Sequence, residues 1–414
     1  MGAGGRHGCW VAGGRTGVRD ADVVIVGAGA AGLSLAYRLC DAPGAGARRP
    51  TVVLVDAPPG PRRPPERTWC FWEAPGGEFD RALTAGWDAL RVYGPDGTER
   101  VGRPAPLRYK MLRSGDFAAA VEARLAGNPA VRRAEATVVA VRDTADGAEV
   151  RGCDAAGRPL TLRARWAFDS RPGHLLPPAR TTLRQHFRGW FVRTRRAVFD
   201  PEMADWMDFR VPQPAHGLAF GYVLPLDPHT ALVEYTRFSR RPLAVADYER
   251  ALRHYTEEVR RLGQFEITGV EQGVIPMTAG RFPYRAGRSV FRIGTAGGAT
   301  RPSTGYTFAA VQRQTAGLAA ALRRPGAPLP PPVHSRWARA LDAVLLRGLD
   351  SGRVDGAAFF SDLFGAVPTE RLLRFLDGRS RLWEDLTIGV HTPMLPMLRT
   401  VAELPLLPRK SAPW

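Results

Sequence analysis

Lysine is nearly absent from this chain of 414 residues. Lys110 and Lys410 are its only lysines, and arginine carries the rest of a formal charge of +18. A bias to Arg, Ala, Pro and Gly is also what a GC-rich genome produces, so the basic balance is partly mutational. It still draws the surface toward anionic lipid headgroups or nucleic acid. No Lys/Arg run interleaved with aromatics marks a nucleic-acid groove, and no zinc-finger or RNA-recognition signature occurs, so nucleic acid is not an expected partner. Cysteine is scarce too: Cys9, Cys40, Cys70 and Cys153 lie far apart, with no CxxC pair and no metal-ligand spacing. That argues against a disulfide framework and a metal site, and for a reducing, cytoplasmic setting. No apolar run reaches the roughly 18 residues of a membrane span. Residues 1–20 are Gly/Arg-rich without a signal-peptide core and read as a disordered tail.

What is present reads as folded: 44% of residues are hydrophobic and 24% charged. The length is enough for two or more domains. The first strong signal is "DVVIVGAGAAGLSLAYRLC". A buried strand, Val23 to Val26, runs into Gly27-x-Gly29-x-x-Gly32 and a helix. Gly27 allows the tight turn, Gly29 lets the backbone approach a pyrophosphate, and Gly32 lets helix and strand pack closely. The helix N-terminus offers N–H groups and the positive end of its dipole. A second strand, "TVVLVDA", ends in Asp56, placed to accept from a ribose hydroxyl. A second glycine-rich turn follows a strand at Val290 to Ile293: Gly294, Gly297 and Gly298, then Thr304 and Gly305 at the start of a long Ala-rich helix. Two such sites far apart in the chain predict one extended cofactor. By analogy with flavoproteins that open on this motif, it is FAD.

Between them, "WAFDSRP" reads as another strand of the dinucleotide sheet. The stretch to residue 265 reads as antiparallel strands: "QHFRGWFVRT", "MDFR", "AFGYVLPL", "ALVEYTRFS". In the last of these, alternation puts Leu232, Glu234, Thr236 and Phe238 on one face, and Val233, Tyr235 and Arg237 on the other. A carboxylate on an apolar face is costly unless it is paired or used. An edge strand, or an arginine partner, would make it unremarkable. "RRPGAPLPPP" reads as a linker. Beyond it, helical stretches repeat apolar residues at three and four with arginines between, which suits either ordinary packing or a membrane surface.

These segments together resemble the flavin-dependent lycopene cyclases of carotenoid biosynthesis, the bacterial type related to plant lycopene β-cyclase. The resemblance covers roughly residues 20 to 400. It rests on the glycine motif, "RTWCFWE", "FDPEMADWMDFR", "LVEYTRFS", "IPMTAGRFPYRAG", "GGATRPSTGYTF" and "LLRFLDG". The family motif aromatic-Glu-(Asp/Glu)-Thr falls on Val233-Glu234-Tyr235-Thr236. Glu234 and Thr236 match, whereas Val233 and Tyr235 depart from it. The resemblance implies Glu234 as the acid–base carboxylate, aided by Asp205 and Asp208. It implies Trp69, Phe71, Trp72 and Thr236 along the substrate slot. FAD acts in its reduced form, with NAD(P)H as electron donor. The substrate is lycopene, whose linear ends close to β-ionone rings, giving γ-carotene and then β-carotene without net redox change. A protonated double bond demands a poorly solvated acid, and burial supplies one. Location at the inner membrane face, contact with anionic lipid and contact with other carotenoid enzymes follow from the same resemblance.

The expected fold is α/β. A Rossmann-like FAD-binding domain (21–66, 111–172, 266–325) carries substrate-binding insertions (67–110, 173–265) and a helical C-terminal region (333–414). Two enzymatic rivals share the fold: an FAD-dependent monooxygenase and an isoprenoid-chain reductase. Both consume reduced nicotinamide in proportion to product. A third rival is a non-catalytic carotenoid-binding flavoprotein, which leaves the spectrum of added lycopene unchanged.

Overall fold

The computed structural model describes residues 19–40, 49–60 and 62–414. The tail expected over 1–20 falls almost entirely outside them. The Ala21–Val26 strand lies inside the first sheet, parallel to Val52–Asp56 on one side and to Pro159–Asp169 on the other. Val131–Glu135 extends the sheet beyond Val52–Asp56. Antiparallel strands Gly147–Cys153 and Thr137–Thr144 extend the other edge, and Val290–Arg292 joins the end of Pro159–Asp169. Val23, Val24, Ile25 and Val26 are buried on both faces, as an all-apolar parallel strand requires. Helices Ala30–Leu39 and Phe308–Leu322 share one core against this sheet. This is the Rossmann-like layer the sequence predicts.

The second sheet has seven strands in the order Phe265–Thr278, Thr182–Thr194, Thr230–Ser239, Leu218–Pro225, Met203–Asp208, Ala89–Tyr93 and Glu99–Gly102. Every neighbouring pair is antiparallel except Met203–Asp208 with Ala89–Tyr93. One face packs on the C-terminal helices through Leu218, Phe220, Leu232 and Phe238 against Leu345, Leu349, Phe360 and Leu363. The other face packs Val233 and Tyr235 on Tyr248 and Leu252 of the Val245–Arg253 helix. A third sheet sets Arg108–Arg113 between Thr68–Glu73 and Ala85–Trp87.

Three boundaries differ from the sequence reading. Residues 266–278 belong to the second sheet, because Phe265–Thr278 pairs along the whole of Thr182–Thr194. Residues 67–110 do not form one insertion: Ala89–Tyr93 and Glu99–Gly102 extend the second sheet, while the rest pairs with Arg108–Arg113 across the expected break at 110. The long helix starts at Phe308, not near Thr304, because Gly305 sits at φ +74°, which a right-handed helix does not admit. Beyond the linker the chain is helical as expected. Helices Arg336–Asp350, Gly356–Ala366, Thr369–Leu376, Leu382–Gly389 and Met394–Glu403 follow one another. Ser335 and Asp355 cap the first two through their side chains. Among the described residues, no helix is long and apolar enough to cross a membrane.

Candidate active site

The glycine motif folds as its spacing demands. A Cβ on Gly32 would lie 1.9 Å from the Gly27 carbonyl oxygen, so helix and loop touch there without room for a side chain. A Cβ on Gly29 would meet no protein atom within 4 Å. That open side is the cradle a pyrophosphate fits. Gly29 begins the Ala30–Leu39 helix, whose first turn holds no acidic residue. The Asp56 carboxylate accepts from the Ala28 amide at 3.1 Å and pairs with Arg63 at 3.2 Å, so it stands at the rim of this cradle.

The second glycine turn is held differently. The Gly294 amide donates to the Gln314 side chain at 2.7 Å, and the amides of Gly297 and Gly298 bond within the turn. Gly294 and Gly298 both sit at positive φ. The turn therefore gives shape more than free donors. The helix N-terminus it was expected to present comes later, at Phe308, after the loop carrying Thr304 and Gly305. Thr295, Thr304, Gly305 and Phe308 line one end of a cavity of about 410 Å³. Gln185 Oε1 and Thr304 Oγ1 are buried there without a hydrogen-bond partner, which a cofactor's polar edge would satisfy. Together with the Gly29 cradle, these residues fit an extended dinucleotide.

The same cavity reaches Glu234. Its strand is interior, between Thr182–Thr194 and Leu218–Pro225, so the edge-strand alternative does not apply. Leu232, Glu234, Thr236 and Phe238 all face the cavity. Among the described residues no cation pairs with Glu234; its hydrogen bond comes from the Thr236 hydroxyl at 2.5 Å. Burial pushes the Glu234 carboxyl up to about 8; the Thr236 bond opposes this and the charge of Glu271 adds to it.

Aromatic and sulfur groups surround the acid. Tyr222 lies directly opposite Glu234 on the adjacent strand. The Tyr222 and Tyr109 hydroxyls are hydrogen-bonded to each other. Tyr109 also bonds Tyr306 at 2.9 Å, and Trp206 Nε1 donates to Tyr306 at 2.8 Å. Burial holds the Tyr109 and Tyr222 hydroxyls well above the usual tyrosine range, raises Tyr306, and pushes the Cys70 thiol up to about 12. These four groups around the acid are therefore uncharged at neutral pH; the Glu271 carboxyl and the Arg67 guanidinium complete the lining.

Not every expected residue reaches the cavity. Trp69 lines it; Phe71 and Trp72 stand one layer behind, against Phe308 at 4.7 Å and Tyr306 at 4.5 Å. Asp205 and Asp208 do not reach it. Asp205 is bound by Arg91 at 2.6 Å and Arg260 at 2.7 Å, and Asp208 by Arg210 Nε at 2.8 Å and Tyr255 at 3.1 Å. The register shifts between the two aspartates, and this bulge turns Trp206 and Met207, which lie between them, to the cavity instead. The aspartates thus anchor an arginine cluster and neither touches Glu234. Sequence reasoning missed Cys70, Tyr109, Tyr222, Tyr306 and Glu271. "AFGYVLPL" carried a usable signal for Tyr222, since alternation and antiparallel pairing put it beside Glu234.

A sequence model of the family described as lycopene cyclase protein matches residues 22–402. The chain belongs to the lycopene cyclase family. A search of curated proteins finds no match. Among solved structures, this family member is similar to a geranylgeranyl bacteriochlorophyll reductase-like protein from Thermoplasma acidophilum. The TM-score is 0.58 at 14% identity, covering 94% of this chain and 97% of that one. It is also similar to a flavoprotein/dehydrogenase from Cytophaga hutchinsonii (TM-score 0.59, 13% identity, 92% and 98% covered). p-Nitrophenol 4-monooxygenase PnpA from Pseudomonas putida DLL-E4 gives 0.53 at 17% identity, with 92% and 97% covered. At these identities the likeness is one of fold.

Two outcomes follow from this geometry. Gly29→Ala leaves the melting temperature of the cofactor-free chain unchanged, and FAD added as a dinucleotide probe binds it about tenfold more weakly than wild type, about 1.4 kcal/mol, in a fluorescence titration. Gly32→Ala destabilises the chain itself by about 1–3 kcal/mol in denaturant melts. The Glu234 carboxyl, raised from 4.5 to about 8, binds a proton in the folded state that the unfolded state releases. Stability therefore falls as pH rises from about 4.5 to about 8. Replacing it by glutamine removes that loss. Glu234→Gln melts near wild type at the acid end and is more stable, by on the order of a few kcal/mol, at the alkaline end.

Proposed function

We propose that the protein cyclises the linear ends of lycopene to β-ionone rings, with Glu234 as the acid. The observation that supports it is a carboxyl without a cationic partner, held protonated by burial, in an aromatic cavity that also reaches Thr295, Thr304 and Gly305 beside the second glycine turn. Protonating an alkene requires a strong, dry acid. A proton leaves Glu234 for the terminal double bond of the substrate; a C–H bond forms and a tertiary carbocation remains. The neighbouring double bond attacks it and closes the six-membered ring. The ring then loses a proton to the Glu234 carboxylate, which restores the acid. No electrons are gained or lost, so the reaction is an isomerisation.

The surroundings suit a cation. The rings of Trp69, Tyr222 and Tyr306 offer aromatic faces. Their hydroxyl chain from Trp206 to Tyr306, Tyr109 and Tyr222 keeps the phenol oxygens engaged with one another rather than free to trap the cation. The Cys70 thiol stays neutral and is a poor nucleophile. Gly29, Asp56 and the 294–305 turn would hold FAD, which in its reduced form, with NAD(P)H as donor, would supply electron density to stabilise a cation.

A lycopene-sized substrate must come from a lipid phase. The helices Leu382–Gly389 and Met394–Glu403 expose Leu382, Leu386, Val390, Leu395 and Leu398, each more than half exposed, with Arg381 and Arg399 among them. This face, on a chain of charge +18, docks on an anionic lipid surface.

In lycopene-accumulating cells the wild type converts lycopene to cyclic carotenes, and Glu234→Gln slows this by about 10³-fold or more. Unchanged lycopene in cells whose enzyme carries reduced FAD would sink the cyclase reading. Nicotinamide consumption matching product would favour the monooxygenase or reductase. Activity falls as pH passes through about 8, where Glu234 loses its proton. In flotation assays the protein binds vesicles containing anionic lipid and not purely zwitterionic ones, and Leu386→Glu with Leu395→Glu abolishes binding. Equal flotation of that double variant removes the docking face assigned here.

A further inference from the structure

Glu234 is not the only buried carboxyl on its face of the sheet. Gly189, on the Thr182–Thr194 strand, pairs with Glu234 on one side and with Glu271 on the other. Residues opposite one another share a face, so Glu234, Gly189 and Glu271 form one row across three strands. The outer two strands stand about 10 Å apart. The residue between them has no side chain. A Cβ at Gly189 would lie 2.8 Å from Leu232 Cδ1, 3.4 Å from Glu234 Cβ and 3.5 Å from its Cγ, so the Leu232 and Glu234 side chains both lean over the gap. Both carboxyls line the same cavity, and both are buried.

Their hydrogen bonding differs in kind. Glu271 Oε1 accepts from the Thr68 amide at 2.8 Å and Oε2 accepts from the Thr68 hydroxyl at 2.6 Å. Both oxygens accept from one residue of the Thr68–Glu73 strand, and the Thr68 amide can only donate. Among the described residues no cation forms an ion pair with Glu271. The nearby Arg67 guanidinium donates to the Gln272 carbonyl at 2.9 Å. Other titratable groups face Glu234 from the remaining walls: Cys70 and Tyr109 from the third sheet, Tyr222 from the adjacent strand and Tyr306 from the loop before the Phe308–Leu322 helix. All four are neutral at working pH.

Resting on the cyclisation reading, we propose that Glu271 is the fixed counter-charge of this site, a positioning residue that keeps the proton on Glu234 and faces the cation formed from it. Two carboxyls whose surroundings differ this way divide the work: one carries the proton and the other holds the charge. A charge about 10 Å away, at an effective dielectric near 20, moves a proton affinity by about one pH unit.

The test is an infrared titration of the full chain loaded with FAD. The carbonyl stretch of protonated Glu234 is isolated by subtracting the spectrum of Glu234→Gln. In Glu271→Gln the midpoint of that band falls by about one pH unit. The alkaline limb of the rate profile moves with it. Glu271→Asp keeps the charge and restores the midpoint; Thr68→Val, which removes one hydrogen bond and leaves the charge, does not lower it. Should Glu271→Gln fail to fold, Glu271→Ala carries the same expectation. A midpoint that stays put in the Glu271 variants, or falls equally in Thr68→Val, overturns the assignment and leaves Glu271 a staple between two sheets. The band reads Glu234 whether or not lycopene turns over, so an inactive wild type counts against the cyclase reading alone.

Discussion

A carboxyl group kept out of water without a cation beside it is the constraint on which the site depends. An arginine within reach would lower the proton affinity of Glu234 and leave a carboxylate, which cannot protonate an alkene. In a chain with 58 arginines and lysines, leaving the buried Glu234 and Glu271 without a cation among the described residues is a demanding arrangement. The neighbouring acids show the alternative. Asp205 and Asp208, one strand beyond Leu218–Pro225, are each bound by arginine. The sheet separates the two populations by side-chain parity. The arginine cluster of Arg91, Arg210 and Arg260 keeps to one side of it, and the cavity side keeps tyrosine, leucine and phenylalanine.

The three sheets meet so as to enforce this dryness. The second sheet supplies the acid on an interior strand, where both backbone edges are hydrogen-bonded and water has no ladder to enter. The third sheet closes over it with Trp69, Cys70 and Tyr109. Beyond the last strand of the first sheet, the loop of Thr304 to Phe308 brings further polar groups to the cavity. The C-terminal helices fix that loop in turn. Arg301 pairs with Asp342 at 3.1 Å and Ser303 donates to the same carboxylate at 2.6 Å, both well buried. The helical region thus acts on the site through the loop that borders the cofactor cradle, and its exposed apolar face lies on the two helices nearest the C-terminus.

How much of this was legible depends on whether local periodicity decided it. The parallel strand and glycine motif were readable, because burial on both faces and the spacing of three glycines are local properties. Glu234 was readable for the same reason: period two assigns its face without knowledge of its neighbours. Asp205 and Asp208 were expected from the resemblance of their segment alone, and the bulge that turns Trp206 and Met207 to the cavity in their place leaves no trace in the sequence. Phe71 and Trp72 read as slot residues from their aromatic character, but which ring forms the first layer is decided by packing. Glu271 was missed for a topological reason. Its strand follows the Val245–Arg253 helix and looked like a return to the dinucleotide sheet, yet it pairs with Thr182–Thr194, some eighty residues earlier. Nothing in one sequence marks a pairing at that separation.

The same parity explains the departure at Tyr235. The family motif carries a second acid immediately after the first. On an extended strand, adjacent residues face opposite ways, and here Tyr235 packs with Val233 on Tyr248, away from the cavity. An acid at 235 would sit behind the sheet, next to Arg237 and screened from Glu234 by the backbone itself. A second carboxyl that is to act on the first across the cavity face must share its parity. It has to come from another strand of the same sheet, in register with Glu234 across a residue without a side chain of its own. Position 271 meets those conditions across Gly189. Tyr235 in place of an acid therefore costs the cavity no charge, and in the proposed reaction the electrostatics of proton transfer would rest on strand pairing instead of on the four-residue motif.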